Sequence, residues 1–132
     1  MKFKVGDKVW FNQNREYVKV VGTPPYKNTI ICRLNDNENY IIDINDLHET
    51  AQSMFEALGY EEDYIPYYCG HKENKTKLLL SKIPYEDDRK EIIMFNLCGK
   101  DYQTYGISGT ALLITPQLHL AIHQQLIELG WV

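Results

Sequence analysis

Polar and apolar residues alternate through Val5-Gly6-Asp7-Lys8-Val9-Trp10-Phe11, after a Gly-Asp turn signal, and this period of two predicts a first strand. Tyr17-Val18-Lys19-Val20-Val21-Gly22 is a second β-rich run. It is stopped by Gly22 and by the pair Pro24-Pro25, which cannot donate into a ladder. The runs Thr29 to Leu34 and Tyr40 to Ile44 follow, separated by Asn35-Asp36-Asn37-Glu38-Asn39, which is turn chemistry throughout and predicts a hairpin. Asn45-Asp46-Leu47-His48 closes the segment, with a short turn of helix expected at Asp46-Leu47.

From Thr50 the period changes. Thr50 is a competent N-cap, and Ala51, Met54, Phe55 and Leu58 repeat at helical spacing before Gly59-Tyr60. A last helix starts at Thr115-Pro116, a capping hydroxyl before a proline, and ends Glu128-Leu129-Gly130-Trp131. In both helices a glycine can take the left-handed conformation just past the end while the next aromatic packs back on the final turn. Between them lie β-like runs at about Tyr64 to Cys69, Lys77 to Ile83, Ile92 to Cys98 and Tyr102 to Ile114, joined by polar or glycine-containing connectors. The pattern is helix, antiparallel meander, helix, with one sheet face covered and the other free for solvent or a partner.

Lys4-Val5-Gly6-Asp7-Lys8-Val9, two central strands, a polar hairpin and the closing Asp46-Leu47 resemble the SH3-like barrels of Tudor, KOW and related modules, over residues 2 to 49. The expected architecture is therefore α+β, a small SH3-like β-barrel in residues 1–49 followed by an antiparallel sheet flanked by two helices in residues 50–132. Such barrels bind RNA, peptides, methylated side chains or another domain, and the fold does not choose among these. Trp10, Phe11, Tyr17 and Tyr40 read as core and rim packing, with an aromatic cage for a ligand as the alternative.

At 132 residues, with 44% hydrophobic residues, ten Tyr and two Trp, the chain has enough apolar material for a packed interior but too little length for a large multi-domain enzyme. No run approaches the roughly 18 consecutive apolar residues of a membrane helix. Met1-Lys2-Phe3-Lys4-Val5-Gly6-Asp7 turns polar at once, unlike a signal peptide, so the expected compartment is the cytoplasm. The net charge of −4 is unevenly placed: residues 1–49 carry seven basic and seven acidic side chains, residues 50–132 seven basic and eleven acidic. Nucleic-acid binding through phosphates calls for a basic face, so the overall balance disfavours it and leaves room only for a local patch.

The second half resembles small proteins encoded by phages and prophages of low-GC Gram-positive bacteria. The matching features are Met54-Phe55-Glu56-Ala57-Leu58-Gly59-Tyr60, Tyr67-Tyr68, Ala121-Ile122 and Glu128-Leu129-Gly130-Trp131. The resemblance implies a mobile-element accessory protein, a group that includes inhibitors of host defence such as type II anti-CRISPR proteins.

Catalytic motifs do not emerge. There is no phosphate-cradling glycine loop, no Gly-x-Ser-x-Gly and no His-Glu-x-x-His, and the expectation is a non-enzymatic binding protein. The carboxylate pairs Glu61-Glu62 and Asp87-Asp88 fall in expected loops, where solvated surface is the plainer reading. One constellation could hold zinc: Cys69, His71, Cys98, His119 and His123, with the last two four apart on one helical face. In a reducing compartment such thiols are metal-bound or free, and the alternative is a small buried thiol pair with satisfied histidines. A stripe of His119, Ile122, Leu126 and Leu129 would turn His119 inward, whereas the rival stripe Leu118, Ile122, Gln125 and Leu129 would free it. Cys32 counts as core.

The stretch Gly59 to Tyr68 is the leading binding surface, because Tyr supplies contact area at low entropy cost and clustered acids complement a basic groove; the alternative is that its tyrosines pack inward as an ordinary strand while the acids form a solvated loop. Glu61, Glu62, Asp63 and Tyr64 are the first partner-contact residues and Glu86, Asp87 and Asp88 the second. Two functions follow: an inhibitor that docks by protein contact onto a host CRISPR nuclease, or a nucleic-acid-associated module acting through Lys2, Lys4, Lys8, Arg15, Lys19, Lys27 and Arg33.

Overall fold

The alternation along the first third of the chain is realised as one antiparallel sheet. Its strands are β1 (Lys8–Phe11), β2 (Glu16–Gly22), β3 (Thr29–Arg33), β4 (Asn39–Asp43) and β5 (Leu47–Glu49), in the order β4-β3-β2-β1-β5. The computed structural model describes residues 3–63, 77–82, 91–106 and 111–132, which form two antiparallel sheets and two helices, an α+β architecture made mostly of strands. The chain divides into two compact units, Met1–Met54 with His123–Val132, and Phe55–Ile122.

In the first unit, strand register turns the period of two into a core. Val9 stands opposite Val18, Val20 opposite Cys32 and Ile30 opposite Ile42, so these side chains share one face with Phe3, Phe11 and Leu47. Val20, Ile30 and Cys32 are fully buried, and each large aliphatic side chain so placed contributes about 1.5–3 kcal/mol. The expected hairpin turn is present: the Asn37 N–H donates to the Leu34 carbonyl at 3.0 Å, and Asn37 takes φ 62°, which Asn tolerates. The short helical turn is Ile44–Asp46, opened by the Asp43 carboxylate accepting from the Asn45 N–H at 2.9 Å. Leu47, expected within that turn, begins β5 instead and pairs with Phe11. The sheet is open: among the described residues β4 and β5 stand at opposite ends of the order with no pairing that would close a barrel.

Helix ends follow from local chemistry. Helix α1 (Ala51–Ala57) is capped by Thr50, whose Oγ1 accepts from the Ser53 N–H at 3.2 Å. It stops at Gly59, φ +89°, where the Tyr60 N–H donates to the Phe55 carbonyl and the Gly59 N–H to the Glu56 carbonyl. Helix α2 (Pro116–Glu128) repeats the device, with Thr115 Oγ1 accepting from the Leu118 N–H at 3.2 Å. At its end Trp131 donates to Leu126, and Gly130, at φ +77°, donates to Ile127.

The C-terminal segment belongs with the first unit through Glu128. Its carboxylate accepts from the Tyr17 hydroxyl, from the Ala51 N–H at 2.6 Å and from Gln124 Nε2 at 2.9 Å. The Ala51 contact satisfies a backbone donor that no turn of helix can reach.

The second unit is a meander, β6 (Glu61–Asp63), β7 (Lys77–Lys82), β8 (Glu91–Asn96) and β9 (Asp101–Tyr105), in the order β6-β7-β8-β9. Leu80 pairs with Ile93, both buried, and the Phe55 ring meets the edges of Tyr60 and Phe95 at centroid distances of 6.0 and 6.4 Å. The meander agrees with expectation, but its members differ. The run Tyr64 to Cys69 lies outside the described residues. The last strand stops at Tyr105 before Gly106 rather than reaching Ile114, and Leu113 is 82% exposed.

Candidate functional site

Glu61 and Glu62, expected in a loop, stand on β6, the outermost strand of its sheet among the described residues. Antiparallel register sets Glu61 against Ser81, Glu62 against Leu80 and Asp63 against Leu79. An outermost strand tolerates charge because one of its sides has no neighbour, which is how two adjacent glutamates enter a sheet. Both glutamates are exposed. The expected contact residues Tyr64, Glu86, Asp87 and Asp88 lie outside the described residues, so the acidic surface seen is Glu61 and Glu62.

Tyr60, at the start of that stretch, packs back over the last turn of α1, as the Gly-aromatic ending predicts, and does not face outward. It is buried, its hydroxyl donates to Glu91 at 3.2 Å, and the Lys82 ammonium lies 5.7 Å from its ring centroid. Burial first, then the Glu91 charge and hydrogen bond, push its pKa above the ordinary tyrosine range. The reason is the helix stop: a left-handed Gly59 directs the next residue back over the last turn, against Phe55.

The zinc constellation is only partly in view, since Cys69 and His71 lie outside the described residues. Cys98 is a free, exposed cysteine in the turn after β8, and His119 and His123 are both exposed on α2. The inward stripe of α2 is Leu118, Ala121, Ile122 and Gln125, the rival pattern, which turns His119 outward. Apolar burial decides this, because Leu118 offers more apolar surface than an imidazole that would need a partner. Among the described residues no group of three or more His, Cys, Asp or Glu could hold a metal ion. Cys32 is core as expected, and burial raises its thiol pKa to about 11.

Of the four aromatics in the first unit, Trp10 and Phe11 are buried. Tyr17 packs edge-on against Trp10 at 5.0 Å and donates to Glu128. Burial, with the Glu128 hydrogen bond and charge added, holds the Tyr17 hydroxyl above the usual tyrosine range. Tyr40 is exposed and donates to the Asp36 carboxylate at 2.6 Å, which lowers the pKa of Asp36 and raises that of Tyr40. These two residues, with Phe11, Leu34, Ile41 and Ile42, line a depression of about 330 Å³. Three of the four aromatics are thus held by packing or by an intramolecular partner, and the fourth by Asp36, the rim-and-core arrangement rather than a cage.

One arrangement was out of reach of the sequence pattern: strand register gathers Lys8, Lys19 and Arg33 side by side on the sheet. No protein-family model, curated protein or solved structure matches the chain. No helix among the described residues is long and apolar enough to cross a membrane.

Proposed function

We propose that the protein is a non-enzymatic binding protein that docks onto a basic surface of another protein, and that its target is a CRISPR nuclease of the cell that harbours it. The observation that carries this reading is β6, the outermost strand of its sheet among the described residues, which carries the exposed carboxylates Glu61 and Glu62. A cationic groove can meet these charges, and opposite charges across an interface speed encounter and fix register. The nucleic-acid channel of a nuclease has the required sign. The acidic excess of residues 50–132 favours the same partner. For the first unit, the order β4-β3-β2-β1-β5 with a short helical turn before β5 supports an SH3-like origin of the sheet, left open in this chain.

The test is target-DNA cleavage by guide-loaded type II CRISPR nucleases with and without equimolar protein, with size exclusion of each mixture. Loss of cleavage together with co-elution, both abolished by Glu61→Lys with Glu62→Lys, is the expected result. Full cleavage and separate elution with every nuclease tried would overturn the nuclease target.

A further inference from the structure

Three long cationic side chains from three strands stand in one row. Antiparallel register places Lys8 opposite Lys19 and Lys19 opposite Arg33, and all three are exposed. Directly opposed like charges destabilise a sheet, so folding alone gives no reason to gather them. The alternation of β1 to β3 puts the row on the face opposite the core, since Val9, Val18, Val20 and Cys32 point the other way. Its ends are oriented: the Lys8 ammonium lies 4.2 Å from the Tyr17 ring centroid, and Arg33 Nε donates to Asn39 Oδ1 at 3.2 Å on the next strand. On that face the same alternation places one acid of β4, Asp43, opposite Thr29 at the other end of the strand from Asn39. Glu128, which reaches Tyr17, is engaged there by that hydroxyl and by the Ala51 N–H.

Two interstrand spacings make the row about 10 Å long, flat and one-signed, which suits a chain of phosphates rather than a single small anion. We infer that Lys8, Lys19 and Arg33 form a contact surface for the phosphodiester backbone of a nucleic acid, laid across β1, β2 and β3. Lys supplies point charges and Arg a fork of donors to the phosphate oxygens. Backbone contacts of this kind position a strand without reading its bases. The row belongs to the other unit from β6, and the inference does not depend on the docking reading.

The experiment is fluorescence anisotropy of the full chain with a labelled oligothymidylate, with a mixed-sequence duplex, and with polyglutamate as a polyanion lacking phosphate. Three phosphate contacts predict log–log salt slopes of about −2 on the single strand and about −3 on the duplex. Affinity should therefore fall about 20-fold and about 40-fold between about 50 and about 200 mM salt. Lys8→Gln with Lys19→Gln and Arg33→Gln should abolish binding, Lys8→Arg with Lys19→Arg should keep it, and Glu61→Gln with Glu62→Gln should leave it unchanged. If the triple variant melts below the parent, Lys19→Gln alone, at the centre of the row, decides the matter by a weaker affinity and a shallower salt slope. No binding at low salt, unchanged binding by the neutral variants, or equal affinity for polyglutamate would each overturn the inference, the last by reassigning the row to acidic protein segments.

Discussion

Glu128 accepts three hydrogen bonds at once, from the Tyr17 hydroxyl, the Ala51 N–H and Gln124, and two of these donors lie far away along the chain. Hydrogen bonds to a charged group contribute about 1.5–3 kcal/mol, so Glu128→Ala should cost about 2–3 kcal/mol in urea denaturation, and Glu128→Gln about half of that. Tyr17 and Tyr60 are both held above the ordinary tyrosine range, chiefly by burial. A raised folded pKa means that the unfolded chain releases the proton first. Stability is therefore complete at neutral pH and falls as pH rises above about 10, and Tyr17→Phe with Tyr60→Phe should flatten that loss in alkaline melts. Lys19 stands between two cations, so Lys19→Gln should raise stability by about 0.2–1 kcal/mol, read by the same denaturation.

The elements divide sharply into those that local chemistry announces and those that it does not. Both helices begin and stop where a hydroxyl cap and a Gly-aromatic pair stand, because every group involved lies within six residues of the helix end. Gly130 has open space around its α-carbon, so Gly130→Ala isolates the left-handed conformation and should cost about 1 kcal/mol in a thermal melt. Gly59→Ala should cost about the same, since the added carbon would meet the Lys82 side chain at 3.5 Å, an ordinary van der Waals contact, and only the left-handed conformation is strained. Strand alternation was equally legible over Lys8 to Asp43. What the sequence did not disclose was placement on an edge. Glu61 to Asp63 read as loop because charge is disfavoured in a strand with two neighbours, whereas β6 pairs with β7 alone among the described residues. The orientation of α2 was equally undecided until Leu118 and Ala121, rather than His119, were found buried.

At the scale of the whole molecule, the grouping of Met1–Met54 with His123–Val132 makes a prediction about fragments. A chain of residues 1–54 lacks Glu128 and the buried Gln124 and Gln125, and leaves the Ala51 donor and the Tyr17 hydroxyl without their partner. It should unfold at lower denaturant than the same fragment supplied with a peptide of residues 113–132, the difference being about 2–3 kcal/mol at saturating peptide. Long-range pairing is also what hid the cationic row. The sequence offers Lys8, Lys19 and Arg33 only as three of seven scattered basic residues, and the register of three strands makes these three neighbours.

The bond from Tyr17 to Glu128 joins residues 111 positions apart. On the ribosome, the first sheet leaves the exit tunnel while the glutamate that will anchor its tyrosine has not yet been translated. The unit that is started first is thus finished last, after every residue of the second has been made. Until then its tyrosine and the first amide of α1 must rely on water, so the first unit matures only after the second has been made.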